Sequence, residues 1–242
     1  MREKTFLESF RRHRLGVIGC VGVALILLAG VVGPFFVPFQ KGYGEAMPLA
    51  GPSAENFLGT DALGLDLFSE IIWGARTSIL ISASAVLVAM FIGIPLGLVS
   101  GYSRGKIGAL IDSAIEITMT IPTLPLMILI SALVGPSVRT VAVVIGVFAW
   151  PTLARIVRNS TLKVSQMQYI EAAKVLGISK GSIMFKHILL NIAGPVLVDI
   201  TLIMATAVLT ESSLSYLGLG DPNVWSWGGI LQTAFKAGHH FR

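Results

Sequence analysis

Long apolar runs separated by short polar stretches set the pattern of this chain. The first runs from Leu15 to Phe36, the second from Thr77 to Val99 and the third from Ile111 to Val134. A fourth, Val141 to Ala154, is short unless it extends at either end, and a fifth covers Ile188 to Thr210. A helix needs about 20 apolar residues to cross a bilayer, so the pattern predicts five spans. Pro95, Pro122, Pro125, Pro151 and Pro195 fall inside or near these runs. Spanning helices tolerate such breaks where neighbouring helices cover the freed carbonyls, which favours a packed bundle over isolated anchors. The first run is too long for a signal-peptide core, and Gly33-Pro34-Phe35-Phe36 is a poor cleavage site. It reads as a retained span. The expected fold is an all-α polytopic membrane helix bundle.

Composition agrees. Of 242 residues, 54% are apolar and 13% charged, about half the charged share of a soluble domain. That excludes an ordinary soluble enzyme, a disordered tail and a disulfide scaffold. The one cysteine, Cys20, has no partner for an internal disulfide.

Charge then assigns sides. Residues 1–14 carry five Lys/Arg (Arg2, Lys4, Arg11, Arg12 and Arg14). Val37 to Arg76 carries two against five acids: Glu45, Glu55, Asp61, Asp66 and Glu70. The turn at 100–110 has Arg104 and Lys106 without an acid, residues 155–187 carry six Lys/Arg, and 211–226 carry none. Positive residues concentrate on the cytoplasmic side, so the amino terminus, the 100–110 turn and 155–187 are expected there. Five spans place the carboxyl end outside. Either the chain ends there, or a sixth span is missing from this sequence. The organisation expected is an amino-terminal part, residues 1–76 (cytoplasmic tail, first span and extracytoplasmic segment), and a core, residues 77–242.

Residues 155–187 are the most informative. Ser165-Gln166-Met167-Gln168 has the pattern of a capping box, and Gly177 suits a left-handed helix terminator. They predict a helix over 166–176, a turn at Gly177-Ile178-Ser179, and a second helix capped by Ser179. Glu171 offers a carboxylate, and Ala172 and Ala173 permit close approach by another surface. Two readings are open at this point: a knob that docks a partner, and a plain amphipathic loop on the membrane surface.

Glu171-Ala172-Ala173, three residues, then Gly177, followed by Ile188-Leu189, resembles the EAA loop of permease subunits of binding-protein-dependent ABC importers. Leu58-Gly59-Thr60-Asp61 with Gly64 and Asp66 is similar to a signature of the dipeptide, oligopeptide and nickel permease family. So are Arg155-Ile156-Val157-Arg158, Ser215-Tyr216-Leu217-Gly218-Leu219-Gly220 and Trp227-Gly228. The amino-terminal shape resembles that family's C-type permease. Leu65 stands where the family has Arg, and Leu190 where its loop has Pro. The family also continues beyond its Trp-Gly pair into a final span, which agrees with the parity argument.

The resemblance implies a type I ABC importer transmembrane fold that moves di- or oligopeptides across the cytoplasmic membrane, with nickel or another small solute as the alternative. It implies four kinds of neighbour: a second homologous permease, two cytoplasmic ATPases, an extracytoplasmic solute-binding protein and lipid. Glu171, Ala172, Ala173 and Gly177 would then belong to a coupling helix seated on an ATPase. No cofactor is expected in this chain, ATP and Mg being expected in the ATPases. Gly101 to Ile107 has the wrong spacing for a phosphate loop. A self-contained secondary carrier would call for an inverted repeat, and a membrane enzyme for a clustered catalytic set. Neither is visible.

Asp199 falls mid-span, where an ionisable residue is a functional candidate by default. It either lines the translocation path or is hydrogen-bonded in the bundle. Asp112 and Glu116 share a helix face and are expected near cytoplasmic Arg or Lys. Thr118, Thr120 and Thr123 flank prolines and are expected to satisfy freed carbonyls. Trp73, Trp150, Trp225 and Trp227 lie near span ends, as interfacial anchors do. His239-His240 is an unstructured end or a weak metal ligand pair, and no spacing of His, Cys or acids predicts a metal site. No basic-aromatic stripe points to nucleic acid.

Overall fold

Apolar runs become helices wherever backbone polar groups have no water to turn to. The computed structural model describes residues 14–40, 42–103 and 105–239. Arg2, Lys4, Arg11, Arg12, Arg104 and His240, used above for sidedness or as a metal candidate, lie outside them. Eight helices carry the described chain: α1 Arg14–Val32, α2 Leu67–Tyr102, α3 Lys106–Thr120, α4 Thr123–Val134, α5 Val138–Val164, α6 Gln168–Val175, α7 Ala193–Tyr216 and α8 Trp227–His239. Short helical pieces link α6 to α7, including a π-helical stretch over Ile183–Ile188. The β structure among the described residues is one isolated bridge, Thr60 to Asp66. Four helices, α1, α2, α5 and α7, are long and apolar enough to cross a membrane.

Three spans differ from the sequence expectation. The expected third span is two helices, α3 and α4, bent by 83°. Pro122 causes the break, because the residue before a proline is pushed out of the helical region; Ile121 is extended, with φ −75° and ψ 133°. The Ile121 N–H then donates to Thr118 O, which leaves the Ile117 carbonyl without its helical donor, and the Thr120 hydroxyl fills that place at 2.7 Å. The threonine expectation holds at that position. The second span starts ten residues early: α2 has 36 residues, about 54 Å at 1.5 Å per residue, against a hydrocarbon core of about 30 Å. Asp66 caps its amino end, its Oδ2 accepting from Ser69 N–H at 3.0 Å. The apolar run 77–99 is the membrane-spanning part, and the first turns of α2 precede it. The short fourth run extends at both ends into the 27-residue α5, capped by Ser137, which accepts from Thr140 N–H at 3.1 Å.

The chain divides into two compact units, Met1–Ile79 with Pro222–Arg242, and Leu80–Asp221; α2 contributes to both. In the first unit, residues 44–66 fold back on themselves. Gly44 N–H donates to Leu63 O (2.8 Å), Leu49 N–H to Asp61 O (2.9 Å), Thr60 N–H to Ala50 O (3.0 Å) and Leu67 N–H to Gly59 O (3.1 Å). Gly64, at φ +78°, turns this knot, and a Cβ there would run into the Ala46 carbonyl. Three tryptophans peg the same unit by their indole N–H groups: Trp73 to Val37 O, Trp225 to Gln40 O and Trp227 to Ile71 O. Each ties one backbone segment to another.

In the second unit, α2 crosses α5 at close range. Gly93, Gly97 and Gly101 lie one turn apart on α2, and a Cβ on each would meet the α5 backbone near Trp150, Ala154 and Arg158. Small residues permit such close helix packing in membranes. α3, α4 and α7 also pack on α5.

Candidate functional site

The short helix α6 is held from beneath. Ile170 and Ala173 are buried among Leu98, Val157, Val164, Ile183 and Ile188. At its end, Gly177 is left-handed at φ +73°. Ile178 N–H donates to Ala173 O at 3.1 Å and Gly177 N–H to Lys174 O at 3.0 Å, a Schellman termination. Ile178 then packs against the same core. Ser179 caps the next turn, accepting from Ser182 N–H at 3.3 Å. The Lys174 ammonium lies 5.5 Å over the Tyr102 ring, the last residue of α2.

Two expectations about this segment need correction. The capping box does not form, because Ser165 is taken as the last cap of α5 and its hydroxyl donates to Leu162 O at 3.0 Å; the cap of α6 is Met167, without a side-chain bond. The helix therefore begins at Gln168 rather than 166. Ala173 turns inward to the core and offers no outer surface. The outward residues include Glu171, Ala172, Val175 and Leu176, the last two 89% and 78% exposed. Glu171 stands in the first turn, where a carboxylate complements the helix dipole. Val175 and Leu176 were missed; their signal was a pair of large apolar residues directly before the terminating glycine.

Beside α6, Arg158 joins three helices. Its Nη2 donates to Asp112 Oδ2 of α3 at 2.7 Å and its Nε to Ser100 Oγ of α2 at 3.2 Å, while Ser100 Oγ donates to Gly108 O at 3.1 Å. Asp112 thus has the basic partner expected of it, on α5 rather than on a turn, and Glu116 is exposed. Asp199 is 8% exposed within α7, and its Oδ2 has no hydrogen-bond partner among the described residues.

A second cluster, in the first unit, was missed as a cluster by the sequence reading, which places Asp61 and Asp66 in a family signature and counts all three acids as charges. Asp61 Oδ1 accepts from Leu63 N–H and Leu65 N–H, each at 2.8 Å. Asp66 Oδ2 accepts from Ser69 N–H and Oγ–H. Glu70, 3% exposed, follows in the first turn of α2. Burial and then the neighbouring Asp61 and Asp66 push the Glu70 carboxyl up to about 8. A cavity of about 300 Å³ lies beside Glu70, Asp61 and Thr60, walled by Ile230, Thr233 and Ala234 of α8. Among the described residues, no group of three or more His, Cys, Asp or Glu is arranged to hold a metal ion.

Comparison with known proteins decides the family. Residues 93–230 match the model of the binding-protein-dependent transport system inner membrane component, and residues 4–52 that of the N-terminal TM domain of oligopeptide transport permease C. The chain belongs to this permease family. Among its relatives, the dipeptide transport system permease protein DppC of Alkalihalophilus pseudofirmus is 34% identical over 228 residues, 93% of this chain and 74% of that protein. The oligopeptide transport system permease protein OppC of Bacillus subtilis is 33% identical, covering 97% of this chain and 77% of that one. The glutathione transport system permease protein GsiD of Pectobacterium atrosepticum is 33% identical, covering 96% and 78%. A chain of the inward-facing MetNI methionine ABC transporter shares the fold at TM-score 0.56 and 22% identity, over 62% of this chain and 76% of that one. The helix-bundle expectation and the family resemblance both hold. This permease is a multi-pass membrane protein, and its relatives are transport permease subunits.

Proposed function

We propose that this permease is the C-type subunit of an ATP-driven importer of di- or oligopeptides in the cytoplasmic membrane. Its partners are a second homologous permease, two cytoplasmic ATPases that bind ATP and Mg, and an extracytoplasmic solute-binding protein. The peptide names of the relatives support the cargo and give nickel no support. The alternation of Lys/Arg between connections supports a cytoplasmic amino terminus and a cytoplasmic α6.

The observation that carries the coupling role is the two-sided character of α6. Ile170 and Ala173 are anchored in the core of the second unit, while Glu171, Ala172, Val175 and Leu176 stand outward. An anchored helix passes a push on its outer face into α2, α5 and the π-helical entry to α7, whereas a loose loop would absorb it. Coupling of this kind requires two global states with different contacts at the docked surface. Asp199 is a proposed translocation-path residue, supported by a buried carboxylate oxygen that lacks a donor within the described chain.

The test uses the complete transporter reconstituted with its binding protein. Glu171→Arg reverses the charge of the outer face, and Gly177→Pro removes the left-handed termination. Both are expected to insert normally and to lower solute-stimulated ATP hydrolysis by roughly 5–150-fold, the usual range of a coupling free energy. Full stimulated hydrolysis in both variants overturns the assignment.

A further inference from the structure

Three carboxylate oxygens of the first unit, Asp61 Oδ2, Asp66 Oδ1 and Glu70 Oε1, are buried without a hydrogen-bond partner among the described residues. A buried acceptor needs a donor, and ionised carboxylates that line one cavity, as Asp61 and Glu70 do, have none to give each other. We infer that Asp61 and Glu70 share one proton, and that this proton latches the 44–66 knot to the first turn of α2.

The surroundings select the proton over other donors. Asp61 already fills its Oδ1 with two backbone N–H groups, which stabilise its ionised form. Glu70 has no comparable donors and is the more deeply buried of the pair, so it carries the proton and Asp61 accepts the bond. Among the described residues, the hollows on either side of Glu70 are lined by Asp61, Asp66 and uncharged residues, and Lys236 of α8 is not in their lining; the His239 side chain lies outside the described set. Arg76, two turns along α2, is placed over the Trp73 ring at 5.5 Å. Lys41 lies outside the described residues. A metal ion is disfavoured because the cluster does not converge as a ligand set. Leu65, 1% exposed, seals the knot with an apolar side chain beside Asp66.

The sign of the pH response follows. The folded chain holds a proton that the unfolded chain releases at the ordinary value of 4.5, and keeps it up to about 8. The latch therefore weakens as pH rises through that upper value. Deprotonation leaves two buried anions face to face, and the knot opens.

Infrared difference spectroscopy of the assembled transporter, wild type minus Glu70→Gln, reads the proton directly. A protonated-carboxyl band present at neutral pH and lost with a midpoint above neutrality is expected. Its absence, or a midpoint in the ordinary carboxylate range, overturns the inference. Asp61→Asn removes the neighbouring charge and is expected to lower the midpoint; an unchanged midpoint means that Glu70 holds its proton alone and overturns the sharing. Loss of the band at neutral pH on adding calcium makes the cluster a metal site and also overturns it. Glu70→Gln keeps a donor towards Asp61, so hydrogen exchange in 44–66, corrected for intrinsic rate, is expected to rise with pH in wild type and not in the variant. A pH response equal in both overturns the latch.

Discussion

Replacing Gly97 by alanine tests the close crossing of α2 and α5. The added Cβ would stand 2.6 Å from the Ala154 carbonyl oxygen and 2.7 Å from Val157 Cβ. Ordinary contacts are about 3.3–3.6 Å for carbon to oxygen and about 3.5–4.0 Å for carbon to carbon. Both obstacles belong to the α5 backbone or its first side-chain atom, so no flexible tip can swing aside. The helices must part by about 0.7 Å or more, which forfeits a quarter to a half of the dispersion attraction across the seam. Overpacking of this kind costs about 1–3 kcal/mol. From the middle of that range, about 2 kcal/mol, alanine returns up to about 1 kcal/mol through helix propensity, leaving a net loss of about 1–2 kcal/mol. For a chain of this size that corresponds to a fall of roughly 2–8 °C in melting temperature, read by thermal unfolding of the detergent-solubilised transporter. Gly194→Ala is the control, because its Cβ would meet nothing within 4 Å, and no loss is expected. Gly97→Ala melting at or above wild type, or Gly194→Ala melting equally low, refutes the packing argument.

Gly64→Ala places a Cβ against the Ala46 carbonyl at φ +78°; the left-handed strain alone costs about 1–2 kcal/mol, and limited proteolysis within 44–66 should become at least tenfold faster. Cleavage at the wild-type rate would show that the knot does not depend on that turn. For Asp112 and Arg158, paired at 2.7 Å with about a quarter of each side chain exposed, a double-alanine cycle is expected to give a coupling of about 0.2–1 kcal/mol. A coupling above about 2 kcal/mol would mean that the pair is effectively buried.

The spans were legible because apolar runs of about 20 residues have few alternatives. Their ends were less so. α2 starts at Leu67 because Asp66 caps it, although Ser69 and Glu70 make its first turn too polar to extend the apolar run. Pro122 was visible as a breaker, but only the geometry shows that Ile121 becomes extended and that Thr120 repairs the carbonyl left behind. Gly177 was readable from the turn it makes. Ser165 misled, since a serine between two helices can end the first as well as begin the second. Which alanine of the Glu171-Ala172-Ala173 trio faces inward is set by Ile183 and Val164 across the core, and no local pattern contains that. The acid cluster was hidden because Asp61, Asp66 and Glu70 are separated in sequence by the two sides of a turn, and their meeting depends on the knot.

The π-helical stretch over Ile183–Ile188 sits where α6 leads towards α7. A π turn holds one residue more than an α turn. Shedding that residue would advance the following helix like a screw by one step, about 1.5 Å along its axis and about 100° around it. A small axial displacement at the membrane surface would thereby become a rotation of the side chains that α7 presents deep in the bilayer.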